Sequence, residues 1–181
     1  MTVADALAPV VAGLETAGIP YMVVGSIASS LHGELRATQD IDIVIDPTRD
    51  ALAAFVAAIP ERFYVDRDVA LDALARRSMF NLIDTETGWK IDLIVRKPRP
   101  FSLEELARRQ ESELGGVRIY VASLEDTIVS KLEWAKLGNS ARQLDDVRRL
   151  IGVRGDMLDR AYIARWVDEL GLAAQWAEVT A

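Results

Sequence analysis

Two carboxylates with strand-like spacing are the residues of this chain most able to do chemistry. Asp40 and Asp42 alternate with Ile41, Ile43 and Ile45, and side chains two residues apart in a β-strand lie on the same face. Two like charges held side by side are costly unless a positive charge lies between them. Since carboxylates are the hard oxygen ligands that magnesium prefers, the pattern predicts a divalent metal site for Mg²⁺ or Mn²⁺. The alternative is a pair of solvent-facing acids on an edge strand.

A third carboxylate lies in a second apolar run. Asp92 is in the middle of Lys90–Val95, and a charge inside such a strand is paired or bound to a metal ion. We therefore expect Asp92 to join Asp40 and Asp42 as a metal ligand. The alternative is that Asp92 is the buried partner of Arg36 or of another arginine.

The turn at Gly25 and Ser26 is the second feature with chemical meaning. It follows the apolar run Tyr21–Val24, which predicts a buried strand, and it precedes a helical stretch that Gly33 is expected to end. The backbone N–H groups of such a turn and helix N-terminus bind phosphate oxygens. With the three acids, the turn predicts a site for a nucleoside triphosphate and its magnesium. A serine that only caps a helix is the alternative.

These motifs resemble the polymerase-β-like nucleotidyltransferase superfamily: Gly25-Ser26, Asp40-x-Asp42 and a strand carrying Asp92. Within it the chain is most similar to the small bacterial nucleotidyltransferases of the abortive-infection (AbiEii-like) toxin group. The resemblance covers roughly residues 20 to 170, including Leu124–Asp126, Lys131-Leu132 and Arg142–Val147. The long segment between Ser26 and Asp40 matches the toxin-like branch better than the most compact members.

The resemblance implies a role for each core residue. Asp40 and Asp42 would hold two magnesium ions, and Asp92 would bind the second metal ion or act as base toward an acceptor hydroxyl. Gly25 and Ser26 would orient the leaving phosphates.

Four more positions are implied to belong to the nucleotide site. Arg36 and Thr38 would hold phosphate or position the acids, Lys131 would contact a phosphate, and Asp146 would be a fourth acid of the site. The residues themselves leave simpler explanations open. Lys131 could snorkel from an apolar stripe, and Asp146 could be the i, i+4 partner of Arg142.

The activity implied by the resemblance is transfer of a nucleoside monophosphate from an NTP to an acceptor hydroxyl on RNA, protein or a small molecule. A role in a toxin–antitoxin or phage-defence system, with a cognate antitoxin as partner, is part of this expectation. The alternative is a non-catalytic nucleotide- or RNA-binding module of the same fold. A phosphohydrolase would need more histidine ligands than the single His32, which we expect to be a packed helix-end residue without a catalytic role.

Composition limits these options only mildly. A net charge of −7 argues against a protein that binds nucleic acid through its overall field. The chain has 181 residues and no cysteine, so a disulfide framework and a thiolate metal site are excluded. No signal peptide or membrane span is evident, so we expect a cytoplasmic protein. Arginine doublets predict solvated faces, with an RNA-binding rim as the alternative: Arg76-Arg77, Arg96–Arg99, Arg108-Arg109 and Arg148-Arg149.

The predicted fold class is α+β, a mixed sheet flanked by helices, with a nucleotidyltransferase core at residues 1–121 and a helical region at 122–181. Strands are expected at Tyr21–Val24, Asp40–Ile45, Phe63–Val65, Met79–Ile83, Lys90–Val95 and Val117–Val121, and helices from Ser123 onward. Residues 84–88 predict a hairpin turn. We expect helix starts at Asp46-Pro47 and at a capping box of Ser102 with Glu105.

Overall fold

A computed structural model describes residues 2–33 and 40–181 of the chain. Within these residues the elements are, in order, α1 (Val3–Thr16), β1 (Tyr21–Val24), α2 (Gly25–Leu31), β2 (Asp40–Ile45), α3 (Arg49–Ala58), β3 (Phe63–Tyr64), α4 (Arg67–Arg76), β4 (Met79–Asp84), β5 (Lys90–Val95), α5 (Pro100–Ala107), β6 (Gln110–Leu114), β7 (Val117–Val121), α6 (Leu124–Gly138), α7 (Ala141–Arg154), α8 (Arg160–Glu169) and α9 (Ala173–Thr180). The predicted α+β class is confirmed.

The described residues divide into two compact units. The sheet unit contains residues 2–24 and 40–121, and the helical unit contains residues 25–33 and 122–181. The predicted division into 1–121 and 122–181 stays a prediction.

The sheet unit is built on seven strands in the order β3-β4-β5-β2-β1-β7-β6. The two central neighbours, β2 and β5, run parallel, and β1 pairs antiparallel with β2. The hairpin predicted between β4 and β5 is confirmed, because these strands pair antiparallel. The sheet is therefore mixed, as predicted.

One face of the central strands forms the core of the sheet unit. Ile41, Ile43 and Ile45 on β2 are fully buried, as are Ile91 and Leu93 on β5. Their alternation with Asp40 and Asp42 places the acids on the opposite face. The two-residue repeat of the strand thus places the isoleucines in the core and Asp40 and Asp42 on the other face, as the sequence predicts.

The helical unit buries its own apolar side chains. Leu132 on α6, Val147 on α7 and Ile163 on α8 have no exposed surface. Short α2 also belongs to this unit and packs on α6. Gly33 ends the α2 turn with φ +111, a conformation that favours glycine, so its predicted role as a helix stop is confirmed.

Two predicted helix starts are wrong. Helix α3 is capped by Thr48, whose Oγ1 accepts from Ala51 N at 3.2 Å, because Asp46 is engaged by the Arg96 and Arg77 guanidinium groups instead. Pro47 therefore precedes the cap rather than opening the helix.

The predicted capping box of Ser102 with Glu105 is also wrong. Helix α5 begins earlier, at Pro100, because proline at the first helical position has its φ preset. Ser102 lies inside the first turn, where its Oγ accepts from Arg99 Nε at 3.0 Å.

Strand β6 was not predicted. Its residues, Gln110–Leu114, are largely polar and mostly exposed, and the strand lies at the edge of the sheet. The Gly115-Gly116 turn folds it back on β7 in an antiparallel register.

None of the helices in the described parts of the chain combines the length and hydrophobicity that a bilayer span requires.

Candidate active site

The three predicted acids lie on neighbouring strands of the sheet unit. Asp40 and Asp42 share one face of β2, and Asp42 stands directly opposite Asp92 in the parallel register of β2 and β5. Asp40 is exposed, Asp42 is half-buried, and Asp92 is buried with 7% of its surface accessible. The structure therefore brings together the carboxylates that the sequence separates by fifty positions.

Lys90 supplies a positive charge between two of these acids. It lies opposite Asp40 in the strand register and two residues before Asp92 on the same face. Its Nζ is 3.0 Å from Asp92 Oδ2 and 3.6 Å from Asp40 Oδ1. The hydrogen bond to Asp92 raises the pKa of Lys90, with smaller contributions from the charges of Asp92 and Asp40. The alternative prediction named Arg36 or another arginine as the partner of Asp92. Among the described residues, the basic partner of Asp92 is Lys90.

Asn81 holds the other oxygen of Asp92. It stands opposite Asp92 in the antiparallel register of β4 and β5, and its Nδ2 donates to Asp92 Oδ1. The row Asn81, Asp92, Asp42 thus crosses three adjacent strands. The hydrogen bond from the short Asn81 side chain therefore helps to orient the Asp92 carboxylate.

The donor set suits a hard divalent cation. Within residues 2–33 and 40–181, no three acidic or histidine side chains stand close enough together to enclose a metal ion. The Lys90 ammonium nevertheless shows that the carboxylates of Asp40 and Asp92 converge on one cation. Oxygen ligands on one face of a sheet fit Mg²⁺ or Mn²⁺ by their chemistry. The metal role of Asp40, Asp42 and Asp92 stays a prediction.

The Gly25-Ser26 turn belongs to the helical unit and opens α2 directly after β1. Gly25 has φ +65, a left-handed conformation that side chains with a Cβ rarely adopt. Its carbonyl accepts from Ser29 Oγ at 3.1 Å, and the Ser26 carbonyl accepts from Ser30 Oγ at 2.9 Å. Glycine is thus required here by the backbone, and the phosphate role of the turn stays a prediction.

Lys131 and Asp146 form a buried ion pair in the helical unit. Lys131 Nζ donates to Asp146 Oδ2 at 2.7 Å and to Gln143 Oε1 at 3.3 Å. The two side chains are 6% and 2% exposed. Lys131 therefore does not snorkel to solvent, and Asp146 is bound by Lys131 on α6. Among the described residues, Asp146 and Gln143 take two of the three hydrogen-bond donors of the Lys131 ammonium.

Of the remaining predicted residues, Arg36 and Thr38 lie outside the described residues. His32 closes α2 as expected: its Nε2 donates to the Ala122 carbonyl at 2.8 Å, and its own carbonyl accepts from Arg154 Nε. Burial lowers the pKa of His32 below 6.5, so the ring is neutral at pH 7.

Comparison with known proteins places this chain in a family. Residues 6–149 match the model of a family described as nucleotidyltransferase of unknown function (DUF6036). The chain belongs to this nucleotidyltransferase family. A comparison with curated protein sequences gives no significant match.

Solved structures of nucleotidyltransferases share the fold. An antigenic nucleotidyltransferase-like protein from Paracoccidioides brasiliensis is 17% identical, with a TM-score of 0.58, 94% of this chain and 90% of that chain covered. The antibiotic-resistance factor ANT(2'')-Ia, in a crystal structure with adenylyl-2''-tobramycin, is 16% identical, with a TM-score of 0.57, 98% of this chain and 99% of that chain covered. At these identities the likeness shows the fold alone. The superfamily prediction is confirmed, while the AbiEii-like subtype stays a prediction.

Two residues that contact or neighbour the acids of the candidate site, Lys90 and Asn81, escaped the sequence analysis. Lys90 had a usable signal, because it lies two residues before Asp92 and so on the same strand face. Asn81 had none, since its position opposite Asp92 depends on the register that the hairpin turn sets.

The basic doublets of the nucleotidyltransferase enter contacts within the chain. Arg76 pairs with Asp72, Arg96 with Asp46, and Arg148 with Asp145 and Glu178. These pairs favour the interpretation as solvated helix faces and strand ends over an RNA-binding rim.

Proposed function

We propose that this protein is a metal-dependent nucleotidyltransferase that moves a nucleoside monophosphate from an NTP to an acceptor hydroxyl. The carrying observation is the in-register pair of Asp42 and Asp92, with Asp40 on the same face, in a chain of a nucleotidyltransferase family. A non-catalytic module would not need three carboxylates held on one face, where their mutual repulsion is a cost.

The reaction follows from the chemistry of a triphosphate. The acceptor oxygen bonds to the α-phosphorus, the bond from that phosphorus to the oxygen bridging the β-phosphate breaks, and pyrophosphate leaves. The proton of the hydroxyl passes to the Asp92 carboxylate at Oδ2, once the Lys90 ammonium has left that oxygen, because Oδ1 is held by Asn81. Asp92 is the most buried of the three acids, so it is the one best shielded from bulk water.

Asp40 and Asp42 would hold the metal ion. A divalent ion supplies charge stabilisation on the phosphate oxygens and lowers the pKa of a bound hydroxyl. The protein's contribution is the strand geometry, which keeps both carboxylates on one face of β2.

We also propose phosphate-binding roles for residues of the helical unit. Gly25 and Ser26 would direct backbone N–H groups at the leaving phosphates. Lys131 would offer the ammonium donor that Asp146 and Gln143 leave unused. Arg36 and Thr38 would join them from the segment before β2.

The class of molecule that carries the acceptor hydroxyl is to be identified by experiment. The structural neighbour ANT(2'')-Ia carries adenylyl-2''-tobramycin, so a polyhydroxylated small molecule is one candidate beside RNA and protein. We also propose a toxin role in the cytoplasm, with a cognate antitoxin as partner, on the resemblance to the AbiEii-like group. That resemblance, if it holds, favours an RNA or protein acceptor.

The test is incubation with each α-labelled NTP and Mg²⁺, using total tRNA, cell lysate or an aminoglycoside as acceptor. The expected result is label in one acceptor class, lost with Asp42→Asn and with chelation of the metal. Unchanged transfer by a folded Asp42→Asn variant would contradict the proposal. NTP binding without transfer to any acceptor would favour the non-catalytic module.

A further inference from the structure

Lys90 lies on the acid face, the face of β2 and β5 that carries Asp40, Asp42 and Asp92, and the proposed reaction assigns it no role. Its ammonium contacts Asp92 Oδ2 at 3.0 Å and Asp40 Oδ1 at 3.6 Å. Of the four described side chains Asp40, Asp42, Asp92 and Lys90, three are acidic and one is basic. The lysine thus compensates part of the repulsion that the strand register imposes on Asp40, Asp42 and Asp92.

The two partners of Asp92 differ in how easily they can leave. Asn81 is exposed, but its side chain is short, with only two rotatable bonds, and it holds Oδ1. Lys90 has a flexible four-carbon stem, its side chain is 43% exposed, and it holds Oδ2. Displacement of the lysine therefore frees Oδ2 and Asp40 Oδ1 while the Asp92 carboxylate keeps its orientation.

We propose that Lys90 is the resident counter-ion of the acid face and that a divalent metal ion must displace its ammonium to bind there. Lys90 is thus a positioning residue: it holds Asp40 and Asp92 together in the metal-free protein and sets the metal affinity by competition. This inference rests on the proposed function in that it takes Asp40 and Asp42 as the metal ligands.

The competition has a measurable size. When a metal ion binds to the acids, the protein loses the ion pairs of Lys90 with Asp40 and with Asp92. The Lys90 side chain is partly exposed in both pairs. Removing the lysine should therefore tighten metal binding by about three- to thirty-fold, the range expected for one or two partly exposed ion pairs. Replacement by arginine, which keeps the charge, should not tighten it.

The experiment is Mn²⁺ binding to the full chain without nucleotide, read from the electron paramagnetic resonance signal of free Mn²⁺. Lys90→Met is compared with wild type and with Lys97→Met, which removes the same charge from an exposed position beyond the end of β5. Lys90→Arg is the conservative variant. Circular dichroism establishes that each variant is folded.

We expect tighter Mn²⁺ binding with Lys90→Met, and binding within about twofold of wild type with Lys97→Met and Lys90→Arg, since distant exposed charges are largely screened. Unchanged or weaker binding with Lys90→Met would overturn the inference, as would an equal gain with Lys97→Met. Tightened binding without transfer to any acceptor would support the role of Lys90 and contradict the transferase. If none of the four proteins binds Mn²⁺, the inference about Lys90 is overturned, while the transfer assay, in which the metal ion can enter with the triphosphate, tests the transferase separately.

Discussion

At the residue scale, Lys131 and Asp146 show how a predicted phosphate ligand can also be a structural group. Their ion pair is almost fully buried, and a buried charge that loses its partner is costly. The same lysine therefore has a part in the stability of the helical unit whether or not it contacts a nucleotide.

We predict that Lys131→Met lowers the free energy of unfolding by about 3–5 kcal/mol, because the Asp146 carboxylate loses its buried ammonium. The double variant Lys131→Met/Asp146→Leu should recover most of this loss. Urea unfolding measures both, with the exposed Lys97→Met as control, expected within about 0.5 kcal/mol of wild type. A Lys131→Met variant as stable as wild type would mean that the pair does not stabilise the fold.

His32 is expected to make stability depend on pH. Burial lowers its pKa, with Glu125 acting in the opposite sense and Arg154 in the same sense. Below about pH 6.5, His32 of the unfolded chain is protonated while His32 of the native protein is still neutral. The contribution of His32 to the free energy of unfolding is therefore largest above pH 6.5, and it falls as the pH drops from there to the pKa of His32 in the native protein.

The measurement for His32 is urea unfolding at pH 7.5, 6.5 and 5.5, for wild type and His32→Gln. Glutamine keeps a donor for the Ala122 carbonyl but does not titrate. The stability difference between the two proteins should shift against wild type as the pH falls. A difference that is independent of pH would show that His32 titrates normally.

At the element scale, the β4–β5 hairpin decides which side chain meets Asp92. Its turn contains Gly88, with φ +76, whose N–H donates to the Asp84 carbonyl at 2.8 Å. This turn fixes the register that sets Asn81 opposite Asp92. The short turn between β4 and β5 thus determines which residue contacts Asp92.

We predict that Gly88→Ala lowers the free energy of unfolding by about 1–2 kcal/mol, the cost of a Cβ in the left-handed region. No atom would clash with that Cβ, so the loss is one of backbone conformation. Gly88→Asn should cost less, since asparagine tolerates this region. Equal stability of the alanine variant and wild type, in urea unfolding, would argue against the assigned turn.

The sequence predicts elements well where side-chain period and burial agree. The alternation of Asp40–Ile45 predicts both the strand and the face of its acids, because one side is buried and the other is not. Strand β6 lacks that contrast: it is an exposed edge strand whose pairing comes from the Gly115-Gly116 turn. The start of α3 was missed because Asp46 is occupied by Arg96, a tertiary contact invisible to local pattern.

At the scale of the whole molecule, the chain interleaves its two units. The segment of α2 follows β1 in sequence but belongs with α6 to α9, and His32 reaches the Ala122 carbonyl across ninety positions. Such a long-range contact cannot be inferred from local periodicity. The fold class and the acid positions could be predicted, whereas the membership of α2 could not.

The whole-molecule charge limits the acceptor. A net charge of −7 gives little general attraction for a phosphate backbone. An RNA acceptor would therefore have to be recognised by local contacts rather than by the overall field of the protein.

The measurement that tests the central claim most directly is the rate of transfer from an α-labelled NTP for wild type, Asp42→Asn and Asp72→Asn. Asp72 is an exposed acid that pairs with Arg76 on the surface of α4, so its variant removes the same charge outside the candidate site. We expect Asp72→Asn to match wild type and Asp42→Asn to lose about 10²–10⁴-fold, the rate equivalent of several kcal/mol of charge stabilisation. Equal rates for all three folded proteins would contradict the assignment of the acid face as the catalytic centre.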